Sequence, residues 1–245
     1  MTKTIYITGA SRGIGRATAI LCGERGWSVA INYNSDAEAA EETVQAVEKA
    51  GGKASAIRAD ISEEDGVVLF FDEADALFGC ADGVVNNAGI VGPAARLVDI
   101  ELARMERMFR VNAIGALLVA REAARRLTDG GSLVNVSSVA AVLGAPNEYI
   151  DYAATKGAVD SMTVGLATEL APRNVRVNCV RPGITLTDMN VGRRAHDPNR
   201  AERVAPMVPL QRAGTAPEIG EAIVWLLSDA ASYITGTFIN ASGGR

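Results

Sequence analysis

Residues 4–15 of the chain read TIYITGASRGIG, an apolar run followed at once by three glycines in the spacing G-x-x-x-G-x-G. The run predicts a strand over residues 5–8, and the residues from the second glycine onward predict a helix over 13–25. Because glycine has no Cβ, the backbone between them can approach a pyrophosphate. The helix N-terminus offers that pyrophosphate N–H groups and a partial positive charge. A glycine cluster at such a junction therefore predicts a dinucleotide-binding loop.

The rest of the chain repeats this alternation of β-rich runs and helical stretches. Further strands are predicted over residues 28–33, 53–59, 83–86, 132–137, 175–180 and 237–240. Further helices are predicted over residues 36–50, 63–78, 100–127, 149–170 and 217–227. Strands that alternate with helices build βαβ units and a mainly parallel sheet covered by helices on both faces. We expect an α/β protein with a single doubly wound Rossmann-type domain over residues 1–245.

Charge and cysteine content argue against several classes of site. The net charge is −5, which does not suggest the basic face that binds nucleic acid. Cys22, Cys80 and Cys179 lie far apart and the chain has one histidine, so we expect no metal site. No apolar run approaches the roughly 18 residues of a membrane helix, and no secretory signal is visible. We expect a cytoplasmic protein with a small-molecule substrate and without nucleic-acid or membrane partners.

Residues 184–214 break the alternation, since they hold three prolines and five arginines and are too long for an ordinary connection. We interpret this segment as a substrate lid, against the alternative of a surface loop without function. Its arginines are interpreted as solvated charges rather than a substrate anion site. The only histidine, His196, lies in the same segment and is not assigned a catalytic role.

Tyr152 and Lys156 are four residues apart, so both side chains lie on one face of the predicted helix. A phenol with a pKa near 10 is a poor base at neutral pH, but a neighbouring ammonium lowers that pKa and makes it a better general acid/base. The alternative is an ordinary helix tyrosine and a solvated lysine. The catalytic interpretation is favoured because the preceding strand ends in Ser137-Ser138.

Other short motifs end the remaining predicted strands, and together they resemble the short-chain dehydrogenase/reductase family over essentially the whole chain. They are Asp60, Asn86-Asn87-Ala88-Gly89, Asn135-Val136-Ser137-Ser138, and Arg181-Pro182-Gly183 with the nearby Thr185 and Thr187. The resemblance implies an NAD(P)-dependent oxidoreductase. The cofactor contacts that it implies are Gly9, Ser11, Arg12, Gly13, Ile14, Gly15, Asn34, Ser35, Asp60, Ile61, Asn87, Ala88, Gly89, Tyr152, Lys156, Pro182, Gly183, Thr185 and Thr187.

The same resemblance implies four catalytic residues, Asn112, Ser138, Tyr152 and Lys156. Ser138 would polarise the carbonyl, Tyr152 would give or take the proton, and Lys156 would lower the tyrosine pKa and bind the nicotinamide ribose. Asn112 would hold a water that relays protons to Lys156. Its alternative is a local helix kink held by a side-chain hydrogen bond. Ser138 precedes Tyr152 by 14 positions, one more than is commoner in the family. Ser137 is the alternative catalytic serine, but the second serine of the pair is the family position.

The choice of cofactor is read from the end of the second predicted strand, Asn32-Tyr33-Asn34-Ser35, which has no acid before Asp36. An acid there would bind the ribose of NAD and repel the 2′-phosphate of NADP. Arg12 can meet that phosphate, and Asn34 and Ser35 add neutral donors. The alternative for Arg12 is a solvent-facing side chain. We expect NADP(H) to be favoured, with NAD(H) possible because Asp36 is near.

Three functions remain open at this point. The favoured one is reduction or oxidation of a small ketone, sugar or polyol. The second is a 3-oxoacyl-[acyl-carrier-protein] reductase, for which Arg173 could bind the acidic carrier, although Asp129 stands where a further positive charge would help. The third is a nucleotide-binding regulator, which the intact Asn/Ser/Tyr/Lys set disfavours. The predicted helices 100–127 and 149–170 carry excess apolar residues, and family members typically pair them, so we expect a homotetramer.

Overall fold

Seven parallel strands form the central sheet of this computed structural model, within residues 2–187, 189 and 197–245, the part of the chain that the structure describes. The strands are β1 (Thr4–Ile7), β2 (Ser28–Tyr33), β3 (Lys53–Arg58), β4 (Gly83–Asn86), β5 (Ser132–Val136), β6 (Arg176–Pro182) and β9 (Phe238–Ala241). Their order across the sheet is β3-β2-β1-β4-β5-β6-β9. The predicted single doubly wound sheet is confirmed.

Helices cover both faces of this sheet. They are α1 (Gly13–Glu24), α2 (Ala37–Lys49), α3 (Glu64–Phe78), α4 (Leu102–Phe109), α5 (Ala116–Arg126), α6 (Ala140–Leu143), α7 (Ile150–Leu170), α8 (Arg200–Val204) and α9 (Ala216–Leu227). Strand β1 shows why two layers are needed. Ile5 and Ile7 pack into one core with α1 and α9, while Tyr6 packs into the opposite core against Phe70 and Phe71 of α3. Alternate side chains of one buried strand thus hold both layers.

The strand order reverses between β1 and β4. The chain runs outward from β1 to β3, then returns to pair β4 on the other side of β1. In such sheets the ligand crevice opens at the carboxyl ends of the strands next to this reversal. Gly9 and Asn87, which follow β1 and β4, therefore lie where a dinucleotide is expected to bind.

The prediction of one continuous helix over residues 100–127 is wrong for the middle of that range. A π-helical turn over Arg110–Gly115 separates α4 from α5. Asn112 stabilises this irregular turn, because its side chain hydrogen-bonds both backbone groups of Ile90. The irregularity that the alternative interpretation of Asn112 expected is therefore a π-helical turn with side-chain hydrogen bonds.

The segment 184–214 is less irregular than predicted. It contains strand β7 (Thr185–Leu186), helix α8, a 3₁₀ turn over Ala205–Met207 and the start of strand β8 (Gly214–Thr215), which pairs with β7. Residues 188 and 190–196, including His196, Arg193 and Arg194, lie outside the described residues. In the described part, no helix is both long and apolar enough to cross a bilayer. Nor do three or more His, Cys, Asp or Glu side chains in that part come close enough to hold a metal ion.

Candidate active site

A cleft of about 1780 Å³ lies at the carboxyl ends of the strands. Typical small-molecule pockets hold about 300–1,000 Å³, so this cleft has room for a dinucleotide and a further substrate. Every residue predicted for the site lines the cleft except Gly15 and Asn112. Gly15 and Asn112 lie behind the cleft wall, where Gly15 allows close packing of α1 and Asn112 holds the backbone of Ile90.

The glycine loop is held against the end of β4. The Thr8 hydroxyl accepts hydrogen bonds from the N–H groups of Asn87 and Ala88, at 3.0 and 3.1 Å. The Asn87 side chain donates back to the carbonyls of Thr8 and Gly9. Gly9 has a φ of +63°, and a Cβ there would lie 2.9 Å from the Ala88 Cα. Only glycine fits this crossing of two backbones.

Gly15 serves the packing of α1 rather than the cleft surface. A Cβ on Gly15 would lie 2.5 Å from the Gly9 carbonyl oxygen and 2.7 Å from the Asn87 amide nitrogen. The helix can therefore approach the strands closely only with glycine here. Arg12 at the N-cap of α1 makes no side-chain cap bond among the described residues, so the first N–H groups of the helix remain open to a phosphate. This cradle fits a dinucleotide pyrophosphate.

Ser138 and Tyr152 are brought together at the other end of the cleft. Ser138 follows β5, Tyr152 lies in the first turn of α7, and both residues line the cleft. The Ser137 hydroxyl instead donates to the Lys156 carbonyl at 3.1 Å and is buried. The structure thus favours Ser138 over Ser137 as the serine that faces a substrate.

Lys156 lies one helical turn after Tyr152. Its ammonium is 5.7 Å from the centroid of the Tyr152 ring and donates to the Val136 carbonyl at 2.9 Å. Burial lowers the pKa of Lys156 to about 8. Burial also raises the pKa of Tyr152 above its ordinary value of 10, although the hydrogen bond from Ser138 and the charge of Arg200 oppose the shift. The predicted lowering of the tyrosine pKa is therefore wrong for the protein without cofactor, because loss of solvent outweighs nearby charge.

Asn112 fixes the wall between the cofactor and catalytic ends. Its side-chain oxygen accepts from the Ile90 N–H and its amide donates to the Ile90 carbonyl, both at 2.8 Å. A Cβ on Gly89 would lie 3.3 Å from that oxygen and 3.5 Å from the Lys156 ammonium, so the three residues are adjacent. Ile90 thus engages both the oxygen and the nitrogen of the Asn112 side-chain amide.

At the end of the cleft next to β2, Arg12 lies beside an acid. Asp36 caps α2 by accepting from the Ala39 N–H at 3.2 Å, and one of its oxygens lies 3.8 Å from an Arg12 guanidinium nitrogen. The Arg12 side chain is 41% exposed and lines the cleft, so it is neither buried nor simply solvent-facing. In the segment after β3, an Asp60 oxygen accepts hydrogen bonds from the Ser62 N–H and hydroxyl.

Asn32 was not predicted as a site residue, although it lines this end of the cleft. Asn32 is buried in β2, where its amide donates to the Ala59 carbonyl at 2.9 Å and its oxygen accepts from the Gly9 N–H at 3.2 Å. It joins the glycine loop to the end of β3. The available signal was a polar side chain inside an otherwise apolar strand, which in a buried position requires hydrogen-bond partners.

Of the two arginines of α8, Arg200 is largely shielded from solvent and so differs from the predicted solvated charge, whereas Arg203 is exposed as predicted. Arg200 and Arg203, both of α8, donate to the carboxylate of Glu148 at 2.9 and 3.2 Å. Arg200 also lies over the Tyr149 ring, 5.0 Å from its centroid. All four side chains line the substrate end of the cleft together with Tyr152.

Comparison with known proteins decides the family. A family model described as "Enoyl-(Acyl carrier protein) reductase" matches residues 9–245. The chain is 46% identical over 244 residues to the Escherichia coli (strain K12) protein "Uncharacterized oxidoreductase YgfF", covering 98% of each chain. The protein belongs to the short-chain dehydrogenase/reductase family. Its resemblance to that family, stated from sequence motifs, is confirmed.

Solved structures agree with this family assignment. A short-chain dehydrogenase/reductase from Serratia marcescens matches with a TM-score of 0.91 and 32% identity, covering 99% of this chain and 97% of that one. The angucycline C-6 ketoreductase LanV with bound NADP matches with a TM-score of 0.91 and 31% identity, covering 99% and 95%. As a short-chain dehydrogenase/reductase, the protein is an NAD(P)-dependent oxidoreductase.

Proposed function

We propose that this protein uses NADP(H) to transfer a hydride between the nicotinamide and a carbonyl or alcohol carbon of a small ketone, sugar or polyol. The observation that carries the proposal is one cleft with the glycine cradle at one end and Ser138, Tyr152 and Lys156 at the other. Cytoplasmic location and a homotetramer remain part of the proposal. The tetramer is supported by exposed apolar side chains on α5 and α7, including Leu117 and Val164, each 52% exposed.

The nicotinamide, when bound, supplies or accepts the hydride. In the reductive direction the Ser138 hydroxyl holds the substrate carbonyl oxygen and Tyr152 donates its phenol proton to that oxygen. The alcohol then carries the hydride on carbon and the proton on oxygen. Lys156 would hold the nicotinamide ribose and, while protonated, would stabilise the Tyr152 phenolate until a proton from solvent replaces the one donated. Asn112 keeps the Ile90 backbone, and with it the cleft wall, in place.

NADP(H) is proposed over NAD(H) because Arg12 lines the adenosine end of the cleft beside Asn34 and Ser35. Asp36 would repel a 2′-phosphate, but its carboxylate already accepts from the α2 N-terminus and lies beside the Arg12 guanidinium. Both contacts offset its charge. The relative LanV, solved with NADP, supports the same choice.

Reduction of a carrier-bound 3-oxoacyl group is the second candidate, favoured by the carrier-protein wording of the matched family model. Arg173, the residue that could meet an acidic carrier, argues against it. Its Nε donates to Asp129 at 2.8 Å, and its other nitrogens donate to the carbonyls of Ala124 and Leu127. The Arg173 guanidinium is thus already paired with groups of this protein.

A spectrophotometric screen tests these proposals. NADPH or NADH is mixed with the enzyme and a panel of simple ketones, ketosteroids, sugars and 3-oxoacyl thioesters, and loss of reduced cofactor is followed. We expect turnover with NADPH and a ketone. The turnover rate should fall about a hundredfold or more in Tyr152→Phe, because that change removes the hydroxyl that donates the proton. A Tyr152→Phe enzyme within a few-fold of wild type would overturn the assignment of Tyr152.

A further inference from the structure

The stretch between Ser138 and Tyr152 makes two tight turns before α7 begins. Gly144, Ala145 and Asn147 have φ angles of +73°, +44° and +62°. Left-handed backbone is unusual for residues other than glycine, so this stretch keeps its shape only with support from its surroundings. The turns bring Glu148 and Tyr149 onto the cleft wall, three or four residues before the catalytic tyrosine.

Glu148 receives that support from α8. Its two oxygens accept from Arg200 Nη2 at 2.9 Å and from Arg203 Nη1 at 3.2 Å. Burial alone would raise the pKa of Glu148, but the hydrogen bonds and charges of Arg200 and Arg203 outweigh it and lower the pKa. Glu148 is therefore ionised across the neutral range. We call Glu148, Tyr149, Arg200 and Arg203 the latch.

The two arginines of the latch contribute unequally. The Arg200 side chain is 19% exposed and its planar guanidinium lies over the Tyr149 ring, whereas the Arg203 side chain is 54% exposed. Arg203 also donates to Asp197 at 2.7 Å, so it has a second anion partner. Charge pairs gain strength as solvent is excluded, and a guanidinium over an aromatic ring makes a contact that a lysine does not reproduce. Arg200 is thus the stronger member.

The other side of Glu148 is fixed to the protein. Its carbonyl accepts from the Ala95 N–H at 3.0 Å, which joins it to the segment after β4. Asp151, three residues later, is buried and paired with Arg104 of α4. The backbone at Glu148 is therefore attached to the segment after β4 and to the start of α7, and the Glu148 carboxylate binds α8.

We propose that Glu148 and Arg200 are positioning residues that fix α8 across the substrate end of the cleft, so that a substrate carbonyl is held against Ser138 and Tyr152. This inference rests on the proposed function for its kinetic consequence, because α8 would then form one wall of the substrate site. The contact itself can be tested without any substrate.

The kinetic test compares Glu148→Gln and Arg200→Gln with two controls. Arg203→Gln is on the same helix and faces the same carboxylate, and Arg25→Gln breaks the exposed pair with Glu221 between α1 and α9. With NADPH and the best ketone of the screen, the first two variants should raise KM about tenfold while kcat falls less than about threefold. Arg203→Gln should raise KM less than about threefold, and Arg25→Gln should leave it unchanged.

Two further readouts separate positioning from general damage. NADPH dissociation constants, from fluorescence titration, should stay within about twofold in all variants, since the latch is at the substrate end. Arg200→Lys keeps the charge but removes the guanidinium that lies over the Tyr149 ring, and should raise KM nearly as much as Arg200→Gln. Equal effects of Arg200→Gln and Arg203→Gln, or unchanged KM in both Glu148→Gln and Arg200→Gln, would overturn the proposal.

A substrate-free test uses the melting temperatures of Glu148→Gln, Arg200→Gln and the double variant. If the two residues act as a pair, the double variant should melt no lower than the worse single variant, because both single changes remove the same Glu148–Arg200 contact. Additive losses would show that the latch does not exist. A non-additive cycle with no turnover on any carbonyl would count against the proposed function and leave the contact established.

Discussion

Arg104 of α4 forms a paired hydrogen bond with Asp151, the residue immediately before Tyr152. Its Nε donates to Oδ2 at 2.8 Å and its Nη2 to Oδ1 at 3.1 Å. The Asp151 side chain is only 1% exposed. The remaining nitrogen, Nη1, donates to the Pro93 carbonyl at 2.6 Å. One guanidinium thus joins α4, the first turn of α7 and the segment after β4.

Arg104→Met should lower the free energy of unfolding by about 3 kcal/mol, because a buried carboxylate loses its charge partner and both hydrogen bonds. Chemical denaturation measures this loss. Arg96→Met is the control, since the Arg96–Asp99 pair is exposed at both ends and should contribute about 0.5 kcal/mol or less. Similar losses in the two variants would mean that burial of Asp151 does not strengthen its pair.

Arg12→Ala should weaken the use of NADPH far more than that of NADH. We expect kcat/KM to fall at least about tenfold with NADPH and about twofold or less with NADH, because only NADPH carries the phosphate that the guanidinium would bind. Arg16→Ala is the matched control, since Arg16 lies one turn further along α1 and pairs with Glu42 outside the cleft. An unchanged cofactor ratio in Arg12→Ala would remove Arg12 from the phosphate site.

Carbonyl reduction and alcohol oxidation should respond to pH in opposite ways. Because burial raises the pKa of Tyr152 above 10, its phenol is protonated at neutral pH, which is the form that donates a proton. At saturating NADPH, kcat for reduction should be flat through the neutral range and fall only as pH approaches the tyrosine pKa. Oxidation with NADP⁺ needs the phenolate, so its kcat should rise with pH. A reductive kcat that increases from neutral to alkaline pH would contradict this.

Cofactor affinity should weaken as pH rises through about 8, where the pKa of Lys156 lies in the cofactor-free protein. Below that pH the side chain is an ammonium that can hold the ribose hydroxyls, and above it the charge is lost. Fluorescence titration of NADPH across this range measures the effect. Lys156→Met should bind more weakly and lose this pH dependence, whereas an identical profile in the variant would exclude Lys156 as its source.

The first βα unit could be predicted from sequence because its determinants are local. The glycine spacing, the apolar run before it and the helix after it all fall within residues 4–25, and the structure has β1 and α1 there. The strand ends that carry Ser138 and Asn87 could be placed for the same reason. Parallel strands bring their carboxyl ends to one edge, so a correct strand assignment also assembles the cleft.

The break at Asn112 could not be predicted in the same way. It depends on Ile90, a residue 22 positions away that meets Asn112 only after the sheet has formed. The pairing of Arg200 with Glu148, 52 positions apart, is likewise a tertiary contact. The shift of the Lys156 pKa depends on burial among residues of several elements, which no local pattern records.

The Thr8 hydroxyl joins two distant parts of the chain, because it follows β1 and accepts from two backbone N–H groups that follow β4. The phosphate cradle belongs to the part of the chain before β4, but the residues that fix its shape come after that strand. A protein cut between α3 and β4 would therefore yield two fragments, neither of which contains a complete nucleotide site. Nucleotide binding by such a mixture would report complementation, because the site exists only where the two pieces have reassembled.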